Sequence, residues 1–208
     1  GGFVGYLGYD AVRRMESLPD DLPDEVAVPE LAFVLATDVA VLDHHDGTII
    51  LVANAINFDD SDERVDEAWR GAVERLDTMT RRLAEPTPSS VATVDDDAQP
   101  TFTSRVGAGA YQAAVEEAKE DIRAGEIFQV VLSQRFELEA SPAGTPDALH
   151  LYRVLRRTNP SPYMYLLRLD GFDVVGSSPD ALVMVACGRA VTEPMASSCW
   201  RRSSSSSI

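Results

Sequence analysis

The dipeptide Asp46-Gly47, set between two apolar, β-branched runs at 31–42 and 48–55, constrains the chain more than any other feature. Glycine takes the positive φ of a tight reversal at no steric cost, so the two runs are expected to fold back on each other as an antiparallel hairpin. Upstream, Gly1-Gly2-Phe3-Val4-Gly5-Tyr6-Leu7-Gly8-Tyr9-Asp10 alternates glycine with bulky residues. Such density marks a backbone that bends or passes close to a neighbour.

Beyond the hairpin the apolar period changes from two to about 3.6. Over 62–83, Val65, Ala68, Trp69, Ala72, Val73, Leu76, Met79 and Leu83 recur at helical spacing, and the stripe holding Trp69 and Met79 reads as core. Residues 86–104, rich in Pro, Ser and Thr with the run Asp95-Asp96-Asp97, bury nothing and read as a linker. A second helix is expected over 110–124, with Gly125 as its stop. Residues 128–138 then alternate: Phe128, Val130, Leu132, Phe136 and Leu138 on one side, Gln129, Val131, Ser133, Arg135 and Glu137 on the other, the period of a strand with one mostly polar face. Thr145-Pro146-Asp147 opens a third helix running to about 157, which Asn159-Pro160-Ser161-Pro162 breaks. A second hairpin turns at Asp170-Gly171, and a strand over 181–186 turns at Gly188. Strands outnumber helices and pair locally, so the expected class is α+β: antiparallel sheets packed as a sandwich with helices outside.

The formal charge of −16 excludes nucleic acid and anionic membranes as partners, because like charges repel before contact. No apolar run is long enough to cross a bilayer and the first residues lack a secretory profile, so the expected location is the cytoplasm. Cys187 and Cys199 have neither zinc-type spacing nor the number a disulfide framework needs. His44 and His45, beside Asp43 and Asp46, read as a solvated hairpin tip, and no metal site is assigned. Lys119 is the only lysine, and Asp59-Asp60-Ser61-Asp62-Glu63 is one of several acidic stretches. That combination implies a strongly hydrated surface suited to high salt.

Four segments carry a resemblance in order: Gly1-Gly2-Phe3-Val4-Gly5-Tyr6, then Glu126-Ile127-Phe128-Gln129-Val130-Val131-Leu132-Ser133-Gln134-Arg135, then Asn159-Pro160-Ser161-Pro162-Tyr163-Met164-Tyr165, then Gly176-Ser177-Ser178-Pro179. Together they resemble anthranilate synthase component I, of the chorismate-utilising enzymes. The resemblance implies amination of chorismate by ammonia with loss of pyruvate, Mg2+ holding a substrate carboxylate, and a glutamine amidotransferase subunit supplying ammonia. It places Gln129, Ser197 and Ser198 at the substrate. Isochorismate-forming relatives carry a lysine base at the position of Gln129, and an amide lacks the basicity for that role. Aminodeoxychorismate synthases often carry a nucleophilic lysine at the position of Ala196, where alanine forms no covalent intermediate. The resemblance also implies a tryptophan effector site on Asn159, Pro160, Pro162, Tyr163, Met164 and Gly176, in which Pro162, Tyr163 and Met164 wall an indole ring.

The chain departs from the pattern after Ala196. Ser197 and Ser198 stand where the family has Gly-Thr, followed by Cys199-Trp200-Arg201-Arg202 and five serines, which reads as an out-of-frame or artefactual tail. The family's magnesium-binding glutamates, active-site histidine and carboxylate-gripping arginine have no counterparts here. The expected division is 1–85 from the family's N-terminal region, 86–104 the linker, 105–196 the first part of the chorismate-binding domain, and 197–208 the aberrant tail. The expectation is a fragment incomplete at both ends and inactive alone. The alternatives are an aminodeoxychorismate synthase component I, or a non-catalytic remnant that binds tryptophan or a subunit.

Overall fold

Strands pair two by two in the computed structural model, which describes residues 1–20, 23–59, 61–87, 101–138, 147–181, 183–186 and 188–191. The chain divides into two units, 1–91 with 169–172, and 92–168 with 173–208.

In the first unit β1 (Gly2–Leu7) runs antiparallel to β2 (Leu31–Ala36), with Gly5 opposite Phe33. A Cβ on Gly5 would overlap the Ala32 carbonyl. The glycine density thus marks a close backbone pass, inside a strand. The apolar run 31–42 is two strands and not one: the chain breaks at Thr37, and β3 (Asp38–Asp43) pairs with β4 (Thr48–Ala53). The expected hairpin forms around Gly47, whose φ is 74° and whose N–H donates to the Asp43 carbonyl at 2.9 Å. At the other end of this ribbon the Thr37 carbonyl accepts both the Asn54 N–H, at 2.9 Å, and Asn54 Nδ2, at 2.6 Å.

A single 3-10 turn, Asp62–Arg64, leads into α1 (Val65–Ala84), which lies against β4. Ala72 is buried on the facing side, and Ala68, Leu76 and Met79 are half-buried. From the same side Arg75 Nε reaches Asp38 Oδ1 at 2.9 Å and Nη2 donates to the Asn54 carbonyl at 2.8 Å. Trp69, expected in the core, is 66% exposed. Two strands span about 10 Å, no wider than the helix itself, so the ribbon covers one side of α1 and leaves the neighbouring stripe to solvent.

The second unit begins with β5 (Phe102–Ser104), antiparallel to β6 (Phe136–Leu138), with the Phe102 and Phe136 rings edge to face at 5.2 Å. Between them α2 (Ala110–Ala124) has the predicted bounds. Its C-terminus is closed by Gly125 at φ 80°, with Gly125 N–H donating to the Ile122 carbonyl and Glu126 N–H to the Asp121 carbonyl, the paired pattern of a left-handed helix cap. The strand expected over 128–138 is confined to its last three residues. Among the described residues 128–135 has no partner strand, and alternation without a ladder leaves Phe128 99% exposed.

Helix α3 (Ala148–Thr158) is capped by Asp147, whose carboxylate accepts the Leu149 N–H at 3.1 Å. The proposed opening residues Thr145 and Pro146 lie outside the described residues. β7 (Tyr163–Leu169) and β8 (Phe172–Ser178) form the second expected hairpin, turning at Gly171 with φ 82°. The strand expected over 181–186 is shorter: β9 (Met184–Ala186) pairs with β10 (Arg189–Val191) through Gly188. The α+β class with antiparallel pairing is as expected, and each described sheet stops at two strands. No described helix is long and apolar enough to cross a membrane.

Candidate functional site

The Asn-Pro-Ser-Pro segment joins the end of α3 to the start of β7, and two hydrogen bonds hold it there. Asn159 donates its N–H to the Leu155 carbonyl at 2.8 Å, prolonging α3 by one bond. Its own carbonyl accepts the Ser177 hydroxyl of β8 at 2.6 Å. The helix end and the hairpin are thereby tied across the loop. Pro160 and Pro162 fix φ on either side of Ser161, which keeps the segment in one conformation with few hydrogen bonds of its own.

Strand geometry sorts the predicted effector residues. Successive side chains point to opposite faces, so Tyr163 and Met164 cannot stand in one wall. Tyr163 shares a face with Tyr165, and the two-residue turn sets Tyr165 opposite Gly176. The Tyr165 ring lies so close over Gly176 that a Cβ there would overlap it. Tyr163 meets Met184 of β9 through its hydroxyl at 3.9 Å from Sδ. Two half-exposed tyrosines therefore make one face, with Gly176 beneath the Tyr165 ring, whereas Met164 is half-buried on the other. Asn159, Pro160 and Pro162 are exposed at its margin.

Three residues absent from the predicted set contribute: Tyr165, Ser177 and Ser161. The period-two alternation from Tyr163 carried the first, since it puts Tyr163 and Tyr165 on a common face. The other two lie within the quoted Asn-Pro-Ser-Pro and Gly-Ser-Ser-Pro motifs, but no periodicity singled them out. The Ser161 Oγ is buried and has no hydrogen-bond partner among the described residues. An unsatisfied buried hydroxyl costs about 1–3 kcal/mol, so this atom gains from any ligand that reaches it with a donor or acceptor.

Charge around the loop is arranged through α3. Arg156 and Arg157 occupy its last turn, where cations complement the helix dipole. At its first turn, partial desolvation pushes the Asp147 carboxyl upward but is outweighed by Arg168, 3.1 Å away, and by the Leu149 and His150 amides, leaving it below the ordinary 3.8. On the β5–β6 ribbon, Glu137 is held below its usual range, first by a hydrogen bond from Arg105 and further by Arg135.

The predicted substrate residues are not assembled. Gln129 is exposed in the segment without a partner strand. Ser197 and Ser198 lie outside the described residues, as do Ala196, Cys187 and Cys199. Among the described residues no three His, Cys, Asp or Glu side chains converge as metal ligands. The His44-His45 tip is held by Asp43 and Asp46, which accept the His45 and Thr48 amides at 2.8 and 3.0 Å. Lys119 forms an ion pair with Glu116, one turn away on α2, at 2.6 Å.

Comparison with known proteins agrees with the order of motifs. The anthranilate synthase component 1 of Mycobacterium tuberculosis is 50% identical over 207 residues, covering 97% of this chain and 39% of that protein. A component 1 of Haloarcula marismortui is 37% identical over 98% of this chain and 36% of its own length. Among solved structures, anthranilate synthase component I from Streptococcus pneumoniae superposes with a TM-score of 0.68 at 30% identity, covering 91% of this chain and 41% of that one. The chain thus spans about two fifths of the length of the relatives it matches. Residues 1–206 match the profile of the chorismate binding enzymes, and the chain belongs to that family.

Proposed function

We propose that the chain is part of an anthranilate synthase component I, the enzyme that aminates chorismate with release of pyruvate. The observation that carries this reading is 50% identity sustained over 97% of the chain to a component 1 protein. Gln129 supports it against an isochorismate-forming enzyme, because an amide cannot serve as general base near neutral pH. Ala196 supports it against an aminodeoxychorismate synthase that works through a lysine nucleophile. In this reading a glutamine amidotransferase subunit supplies ammonia, Mg2+ is held by residues outside those described, and the setting is the cytoplasm.

The chain's own contribution is the effector face. Tyr163 and Tyr165, the latter packed over Gly176, offer aromatic edges against which an indole can lie, and the buried Ser161 hydroxyl offers a polar anchor. Ordering of this face is coupled to α3 through the Ser177–Asn159 hydrogen bond. Substrate chemistry requires groups that the described residues do not bring together. Alone, with chorismate, Mg2+ and ammonia, the chain should therefore yield no anthranilate fluorescence.

A chimera tests the reading directly. Residues 1–196 replace the matching segment of the Mycobacterium tuberculosis relative, and the products are separated by chromatography. Anthranilate, inhibited by tryptophan, is the expected result. Accumulation of aminodeoxychorismate, or a folded chimera without any turnover, would sink the proposal.

A further inference from the structure

A cavity of about 500 Å³, open to solvent on one side, lies wholly within the first unit and shares no residue with the effector face. Its inner wall is one flank of α1 and the turn before it. Arg64, Glu67, Ala68, Gly71 and Arg75 line it, and at about 100° per residue they fall within a single arc of the helix. The outer wall is the segment 54–59, which runs antiparallel beside that flank. At one end the Asn54 carbonyl accepts Arg75 Nη2 at 2.8 Å, and at the other Asp59 lies close enough to Glu67 to oppose its ionisation.

Gly71 keeps the space open. Glycine is a poor residue for a helix interior, yet here a Cβ would meet only Arg75 Nη1, at an ordinary 3.5 Å, and any longer side chain would enter the cavity. The two ends differ in charge. Arg75 is fixed by Nε on Asp38 at 2.9 Å and by Nη2 on Asn54, so Nη1, with no partner among the described residues, is held over Gly71 as an oriented donor. At the far end Arg64 and Glu67 neutralise each other through two contacts of 2.9 Å, which leaves Asp59 as the uncompensated charge. Hydrogen bonds from the Ser61 hydroxyl and amide hold the Asp59 carboxyl below its ordinary 3.8, and the Asn57 amide fastens the loop by donating to the Ser61 carbonyl. Between these poles the lining is apolar, from Ile56, Phe58, Ala68 and the bare backbone of Gly71.

We propose that this cavity binds a small elongated ligand with a carboxylate at one end, an ammonium at the other and an apolar stretch between. The carboxylate meets Arg75 Nη1 and the ammonium meets Asp59. Because Nη1 reaches back over Gly71, the poles are separated by little more than the four residues to Glu67, about 6 Å of helix rise and roughly the span of a five-carbon chain. A dicarboxylate would set its second charge against Asp59, and an amine without a carboxylate would leave Nη1 unused. The inference does not rest on the proposed catalytic identity.

Isothermal titration calorimetry of the 208-residue chain with ε-aminocaproate, caproate, hexylamine and adipate tests it. Saturable binding of ε-aminocaproate is expected at millimolar concentration, with adipate and hexylamine each weaker by about tenfold. Gly71→Leu fills the cavity with a better helix former, so it should abolish binding without loss of far-UV circular dichroism, whereas Gly71→Ala should bind within about twofold of wild type. Asp59→Asn keeps an acceptor for Ser61 and should erase the preference for ε-aminocaproate over caproate. Gly176→Val, at the effector face, should change nothing. No uptake of ε-aminocaproate by the wild-type chain, equal binding of adipate or hexylamine, or undiminished binding by Gly71→Leu would overturn the inference.

Discussion

Replacement of Gly125 by alanine isolates one term of the fold. The residue sits at φ 80° and a Cβ built on it meets no atom within 4 Å. The cost is therefore conformational and not steric. Holding an L-residue in the left-handed region costs about 1–2 kcal/mol, and the stiffer unfolded chain returns about 0.4–1 kcal/mol, leaving a net loss of about 1 kcal/mol. Gly107 is the control: it too has open space around its Cβ position but lacks a positive φ. Gly107→Ala should therefore be neutral or mildly stabilising, opposite in sign to Gly125→Ala. Gly125→Asn should fall between them, since asparagine tolerates this region. Amide hydrogen exchange at Gly125 or its replacement and at Glu126, whose N–H groups close the cap, reads the effect locally. A loss of 1 kcal/mol corresponds to about fivefold faster exchange. Equal exchange in the Gly125→Ala and Gly107→Ala chains would refute the assignment of the cap as a φ-dependent stop.

Three further outcomes follow from particular contacts. Because the folded Asp147 titrates below its ordinary 3.8, the protection it gives is present above that value and is lost as pH falls through the depressed one. Exchange of the Leu149 amide should accelerate in that acid window in the wild type, and Asp147→Asn should flatten the dependence. Gly176→Val should push the Tyr165 ring off β8 and abolish tryptophan inhibition in the chimera while leaving turnover, measured by anthranilate fluorescence. With a formal charge of −16, the melting temperature should rise with KCl as self-repulsion is screened, and a temperature equal at low and molar salt would remove the high-salt reading.

How far the sequence could be read depended on whether a feature is decided locally. Helix α2 was legible to the residue because periodicity and a left-handed glycine both act within one turn. The turns at Gly47, Gly171 and Gly188 were legible for the same reason. The break at Thr37 was not, since it depends on β2 and β3 having different partners. Residues 128–135 show the same limit from the other side: alternation states what a strand would bury, but the ladder needs a neighbour that periodicity does not name. Trp69 was misread because a helical stripe gives the width of an apolar face and not the width of whatever covers it. At the effector face, the motif located the loop, whereas the partition of Tyr163 from Met164 came from the pleat. The tie from Ser177 to Asn159 joins residues with no pattern between them.

The doubly bonded Thr37 carbonyl has a mechanical meaning. A one-residue joint between two ribbons would ordinarily be a pivot, free to let β1–β2 swing against β3–β4. Asn54 closes it with both its backbone and its side chain, and Arg75 then fastens Asn54 and Asp38 to α1. Torque applied to the helix is thereby passed to the joint through a single asparagine. Asn54→Leu would unlock the hinge while leaving every strand its own partner.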